Sequence, residues 1–213
     1  KALYRLSHPN IVRMLNYQKT EDSLILIMDF VDGMNFKEHI AQTPELTTPA
    51  KAVPLFLQIL DAFSHAHGKG LVHRDIKPSN IMIDSEGKPI VLDFGIAKIT
   101  NSLDTTLTGT ESLLGSRPYM SPEQIKSGKY IDHRSDIYSL GVTLYQLLTG
   151  RAAYNTASLS DYDLMDKIVR EPLPVASAAN PAVGAALDAV IAKAPAKSPD
   201  ERFQSCGEFA EAL

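Results

Sequence analysis

The sequence predicts an α+β domain, with strands early and helices late, on three observations. Two short β-rich runs near the start flank a polar turn, a second pair of β fragments flanks Asp84-Ser85-Glu86-Gly87, and apolar residues at helical spacing dominate after residue 48. The 213 residues, 44% of them hydrophobic, suffice for one full core and exclude a disordered chain. A net charge of −4 offers no general attraction to phosphate backbones or anionic membranes, which sets nucleic acid aside as a partner. No apolar run approaches the roughly 20 residues that span a bilayer, so this segment is expected to make no membrane contact. The single cysteine, Cys206, cannot form an internal disulfide, and no Cys/His cluster has zinc-site spacing, which fits a reducing, cytoplasmic location.

Position 1 is Lys, and Lys1 to Ser7 reads as the last turns of a helix already under way, so a fragment is expected; no signal-peptide pattern opens it. After the turn His8-Pro9-Asn10, the runs Ile11 to Tyr17 and Leu24 to Phe30 form a strand pair across Lys19-Thr20-Glu21-Asp22. From Thr48 to Lys69, Ala52, Leu55, Phe56, Ile59, Leu60, Phe63 and Ala66 recur at three and four, an amphipathic helix that stops at Gly68 or Gly70. Ile81 to Ile83 and Ile90 to Leu92 make the second hairpin. Residues 98 to 117 are Ser/Thr-rich and aperiodic, as in a long exposed loop. Ile137, Leu140, Gly141, Leu144, Leu147 and Leu148 define a helix apolar on most faces, hence buried, with Gly150 after it. Asp161 to Arg170, Val183 to Ala194 and Ser205 to Leu213 read as three further helices between Pro-rich links.

The stretch that carries chemistry is His73-Arg74-Asp75-Ile76-Lys77-Pro78-Ser79-Asn80, followed by Asp93-Phe94-Gly95 and later by Ser121-Pro122-Glu123. In order and separation these resemble the H-R-D-x-x-x-x-N, D-F-G and A-P-E signatures of the eukaryotic-type protein kinases. The ending Lys197 to Ser205 through Phe209 to Leu213 is similar to that of bacterial Hanks-type serine/threonine kinases. The resemblance implies a protein-kinase-like fold: residues 1–30 a remnant of the small lobe, residues 31–213 the mainly helical large lobe. It implies ATP and Mg²⁺ as cofactors, with Mn²⁺ able to stand in, and protein substrates that include the kinase itself. A membrane anchor outside the segment, as in a receptor kinase with a cytoplasmic catalytic domain, is left open.

Phosphoryl transfer asks for little covalent help; it asks for a hydroxyl in line with the γ-phosphate and for neutralised charge. By resemblance Asp75 accepts or orients the hydroxyl proton, Lys77 meets the transferring phosphate, and Asn80 and Asp93 offer oxygens to the metal ions. Met28-Asp29-Phe30-Val31 resembles the hinge, with Met28 as gatekeeper and Asp29 and Val31 meeting the adenine through their backbone; Met82 belongs to the same cofactor set. Arg74 makes this an RD-type kinase, a class switched on when loop phosphate pairs with that arginine. Thr108 and Thr110 hold the positions of activating phosphothreonines, with Thr105, Thr106 and Ser112 as lesser candidates. Ser116 stands where threonine is usual and keeps the hydroxyl that bonds Asp75 and Lys77. Asp136 resembles the aspartate that holds the catalytic-loop backbone, and Glu123 the glutamate that pairs with Arg202. Leu3, Met14, His73 and Phe94 match an apolar stack, giving His73 a packing role; Gly95 completes its motif. His65 and His67 have no acidic or cysteine partner nearby in sequence and are assigned no function.

Neither a G-x-G-x-x-G loop nor a V-A-I-K strand occurs, since Gly68-Lys69-Gly70 caps a helix, and without them phosphate placement should fail and this segment alone is expected to be inactive. Two rival readings follow: a pseudokinase or truncated lobe acting as a scaffold, and a small-molecule kinase of the aminoglycoside or choline type. Gly115-Ser116 and Ser121-Pro122-Glu123, features of a protein-substrate segment, disfavour the latter.

Overall fold

The computed structural model describes residues 6–20, 24–94, 116–126, 131–154, 156 and 158–213. The expectations on Leu3, Gly95, Thr105, Thr106, Thr108, Thr110 and Ser112 fall outside these residues, as does the Ser/Thr-rich loop up to residue 115.

Strands β1 (Met14–Lys19) and β2 (Leu24–Met28) pair antiparallel from Met14↔Met28 to Lys19↔Leu24, with an irregularity between Met14 and Asn16. The strand starts later than the apolar pattern suggests. Ile11 forms a parallel bridge to Val91 instead, where Val12 N donates to Val91 O at 2.9 Å. Phe30, expected to end the second strand, lies beyond β2 and is 91% exposed. A second sheet orders β3 (Gly33–Asn35), β4 (Ile81–Asp84) and β5 (Pro89–Val91) antiparallel, so the expected second hairpin is its β4–β5 half.

Strand β3 and helix α1 (Phe36–Gln42) have no counterpart in the sequence reading. Three strand residues are too few to show alternation. Seven helical residues bury only Phe36 and Ile40, one i,i+4 pair, beneath an Asn35 cap that accepts from Glu38 N. Helix α2 (Pro49–Gly68) begins on a proline at its first position, where the missing N–H costs nothing, and buries the expected face. Gly70, at φ 69°, turns the chain out of it, and Leu71 N donates back to Ala66 O.

Helices α3 (Pro122–Lys126), α4 (His133–Thr149), α5 (Asp161–Arg170), α6 (Ala176–Ala179), α7 (Gly184–Lys193) and α8 (Cys206–Glu211) complete the described fold. Residues 135–149 of α4 are all buried. Its Ser139, Thr143 and Thr149 hydroxyls donate to carbonyls one turn back, so the interior position leaves them no unmet donor. Gly141 lets α7 approach closely: a Cβ there would lie 2.8 Å from both Ala194 Cβ and Pro195 Cδ. Phe56 of α2 meets Phe209 of α8 edge-on at 5.8 Å, and Phe209 stacks on Phe203 at 4.9 Å, joining the C-terminus to the core. Among the described residues no helix is long and apolar enough to cross a membrane.

Candidate active site

The segment from Leu71 to Asn80 crosses between α2 and β4, and buried groups fix its backbone. Asp136, 1% exposed in the first turn of α4, accepts from His73 N at 2.8 Å and Arg74 N at 2.9 Å, using both carboxylate oxygens. Those two bonds hold Arg74 at φ 68°, a left-handed conformation costing a residue with a Cβ about 1–2 kcal/mol. The His73 ring is committed on both sides. Nδ1 accepts from Asp75 N at 3.3 Å, so Nε2 carries the proton and donates to Leu92 O at 2.9 Å. With Phe94 at 4.8 Å and Phe63 at 5.7 Å, His73 sits in an aromatic cluster and has no nitrogen free for proton transfer. Phe94 is 4% exposed, and Met14 lines a small cavity with it, Leu26, Met28 and Asp93.

Next in the chain, Asp75 projects a half-exposed carboxylate. Its Oδ2 accepts from Lys77 Nζ and Asn80 Nδ2, each at 3.1 Å, while Asn80 Nδ2 also reaches Asp75 O at 2.9 Å. Lys77 Nζ donates to Ser116 Oγ at 2.6 Å. Burial pushes the Asp75 carboxyl up, but the Ser116 hydroxyl bonded to it and the Lys77 ammonium outweigh this and hold it below its ordinary value. Asp75 therefore stays a carboxylate, ready to accept a proton.

Asp93 differs. At φ 60° just past β5, it has no hydrogen bond or ion pair among the described residues. Burial, with the like charge of Asp75 opposed by His73 and Lys77, raises its carboxyl above the ordinary value. A half-buried carboxylate without a partner is a group suited to a cation. Asn80 matches it: its Nδ2 is spent on Asp75, and its Oδ1 has no partner among the described residues.

In the segment after β2, Asp29 N donates to Arg13 O at 3.0 Å, while the Asp29 carbonyl and the Val31 amide and carbonyl have no hydrogen bond among the described residues. Met82 lies on the half-exposed face of β4, opposite buried Ile81 and Ile83.

Farther out, Arg202 donates to both Glu123 oxygens, at 2.7 and 2.8 Å. Three contributors have no place in the sequence reading. His67 Nε2 lies 2.8 Å from Asp136 Oδ2 and its Nδ1 3.6 Å from Cys206 Sγ, partners 69 and 139 residues away that spacing does not reveal. Gln124 donates to Arg74 O at 2.8 Å; its signal was the Ser-x-x-Gln pattern of a helix start. Tyr119, whose hydroxyl donates to Gln146 Oε1 at 2.6 Å, has its phenol pushed up to about 12 by burial.

Comparison with known proteins gives the family. The protein kinase domain model matches residues 1–210. Serine/threonine-protein kinase PrkC of Bacillus subtilis is 42% identical over 204 residues, covering 96% of this chain and 31% of the relative. Probable serine/threonine-protein kinase PknB of Lactococcus lactis is 39% identical over 208 residues, 98% of this chain and 32% of the relative. PknB of Mycobacterium tuberculosis is 36% identical over 209 residues, 96% and 33% respectively. The chain thus spans about a third of the length of these relatives. Domains of this kind use ATP and a divalent cation, and the Asp93 and Asn80 oxygens, without partners among the described residues, fit a hard cation. Matched by that model along nearly its whole length, the chain belongs to the protein kinase domain family, alongside bacterial Hanks-type serine/threonine kinases.

Proposed function

We propose that this chain carries the catalytic centre of a serine/threonine protein kinase that moves the γ-phosphoryl group of ATP to protein hydroxyls, its own among them. The observation behind this is the Asp75, Lys77, Asn80 and Ser116 cluster: one carboxylate kept ionised, with an ammonium and a hydroxyl beside it. In the reaction the substrate hydroxyl oxygen bonds to the γ-phosphorus, the bond from that phosphorus to the β–γ bridging oxygen breaks, and the hydroxyl proton passes to an Asp75 carboxylate oxygen. Asp75 orients the hydroxyl, and Lys77 places positive charge on the group in transfer. The backbone groups of Asp29 and Val31 that have no hydrogen bond among the described residues suit the adenine edge, with Met82 beneath the ring. Asn80 and Asp93 would hold Mg²⁺, which neutralises charge on the phosphates.

Regulation belongs to the same proposal. Arg74 precedes Asp75, and phosphate on Thr108 or Thr110 would give its guanidinium a partner. The test uses the full-length protein and labelled ATP, with a generic basic protein as acceptor and Asp75→Asn as control. Transfer that disappears in the control supports the reading; transfer that survives it removes Asp75 from the role. Changing Thr108 and Thr110 together to Ala is expected to lower the rate, and mass spectrometry that finds neither phosphorylated in active protein refutes the switch.

A further inference from the structure

The helix start at α3 has a donor left over. Ser121 Oγ accepts from Gln124 N at 3.4 Å, and Gln124 Oε1 accepts from Ser121 N at 2.9 Å, so the two close a capping box. Because the Ser121 amide can only donate, it fixes which end of the Gln124 side chain is oxygen. The nitrogen end turns away from the cap, and Nε2 donates to the Arg74 carbonyl at 2.8 Å, 50 residues distant in sequence. A glutamate closes a capping box equally well but, when ionised, has no proton to donate. The helix start does not require a glutamine; the Arg74 carbonyl does.

Arg74 is also the strained residue of the loop, and its two backbone polar groups are held by different elements. Asp136 of α4 takes the amide and Gln124 of α3 takes the carbonyl. That carbonyl belongs to the peptide leading directly into Asp75, while Ser116, at the near end of the segment that Gln124 closes, bonds Lys77. We propose that Gln124 is a positioning residue, tying the segment 116–124 to the backbone that carries Asp75 so that the acceptor platform and the carboxylate keep one relative placement. This rests on the reading of Asp75 as the group that orients the hydroxyl.

The experiment measures kcat and the KM for ATP in the full-length protein for wild type, Gln124→Glu, Gln124→Ala and Asp75→Asn, with amide exchange across residues 73 to 76. Both Gln124 variants are expected to lower kcat about tenfold with KM for ATP within about twofold, since misplacing a catalytic group by ~1 Å costs up to on the order of 100-fold. Gln124→Glu keeps the cap but loses the bond to the Arg74 carbonyl, so the unfolding temperature falls modestly while exchange at Arg74 and Asp75 speeds up. A kcat for Gln124→Glu within about twofold of wild type overturns the proposal; should that variant fail to fold, Gln124→Ala decides by the same criterion. Absence of transfer in wild type, or its survival in Asp75→Asn, overturns the underlying reading and this proposal with it, and is recognised without reference to Gln124.

Discussion

Arg202 and Glu123, 79 residues apart, meet through two parallel bonds, and the rest of the guanidinium is equally engaged. Nε donates to Ala196 O, Nη1 also to Arg134 O and Nη2 also to Lys197 O, so all five N–H groups are satisfied at 2% exposure. Tyr138 adds its ring face 5.1 Å from the guanidinium carbon. Together these contacts clasp α3 to the chain just before α8, and α3 is the element that reaches back to Arg74.

Breaking that clasp should destabilise the fold in a pH-dependent way. Burial pushes the Glu123 carboxyl up, but the bonds from Arg202 and Ser135 outweigh it and hold the group below its ordinary value. A depressed carboxylate contributes stability that is present above its unfolded value and lost as pH falls through the folded one. Glu123→Gln, which leaves a buried arginine without its counter-ion, should cost about 3 kcal/mol near neutral pH, with the gap to wild type narrowing below pH 4.5. Denaturant unfolding across pH measures this; a gap that does not narrow would refute the assignment.

Asp136→Asn should lose stability and rate together. The buried carboxylate accepts from His73 N and Arg74 N with His67 Nε2 beside it, and an amide offers one acceptor oxygen where the aspartate offers two. The expected loss is about 2 kcal/mol, the range for hydrogen bonds to a charged group, with a fall in kcat as Arg74 relaxes from its positive φ. Wild-type turnover in the variant would show that Asp75 does not depend on this anchor.

Ser116→Ala should move the acid limb of the pH–rate profile upward. The hydroxyl helps to keep Asp75 ionised, so removing it raises the Asp75 carboxyl and leaves less carboxylate at mildly acidic pH. The measurement is kcat against pH; an acid limb that stays put or moves down argues against a proton-accepting Asp75.

Cation binding should weaken as pH falls, and at higher pH than for an ordinary aspartate, because the Asp93 carboxyl is raised by burial and a proton competes for it. Titration with Mn²⁺ over a pH series tests this in wild type and Asp93→Asn. Equal affinity in the two proteins would place the cation elsewhere.

Long elements were legible in the sequence, and relationships between them were not. Helix α5 falls on the expected residues 161–170 and α2 lies within a residue of its expected ends, while α4 starts at His133, earlier than its first apolar position Ile137; each repeats its apolar period over several turns. Helix α1 and strand β3 stayed hidden, being shorter than one reliable period. At the site, Asp75, Lys77, Asn80 and Asp93 were readable as a motif. The contact of His67 with Asp136 and Cys206 was not: spacing along one chain says nothing about residues 69 and 139 positions away that folding brings together.

Cys206 is the chain's single thiol, 1% exposed against His67, and Phe209, three residues on, packs edge-on to Phe56. Thiols react as thiolates, and burial here pushes the thiol far above its ordinary range, so the folded protein offers a reagent neither access nor charge. Alkylation must then wait for α8 to lift from α2. A brief pulse of alkylating reagent counts the molecules whose core is open at that moment, and the protein carries in one sulfur atom its own clock for unfolding.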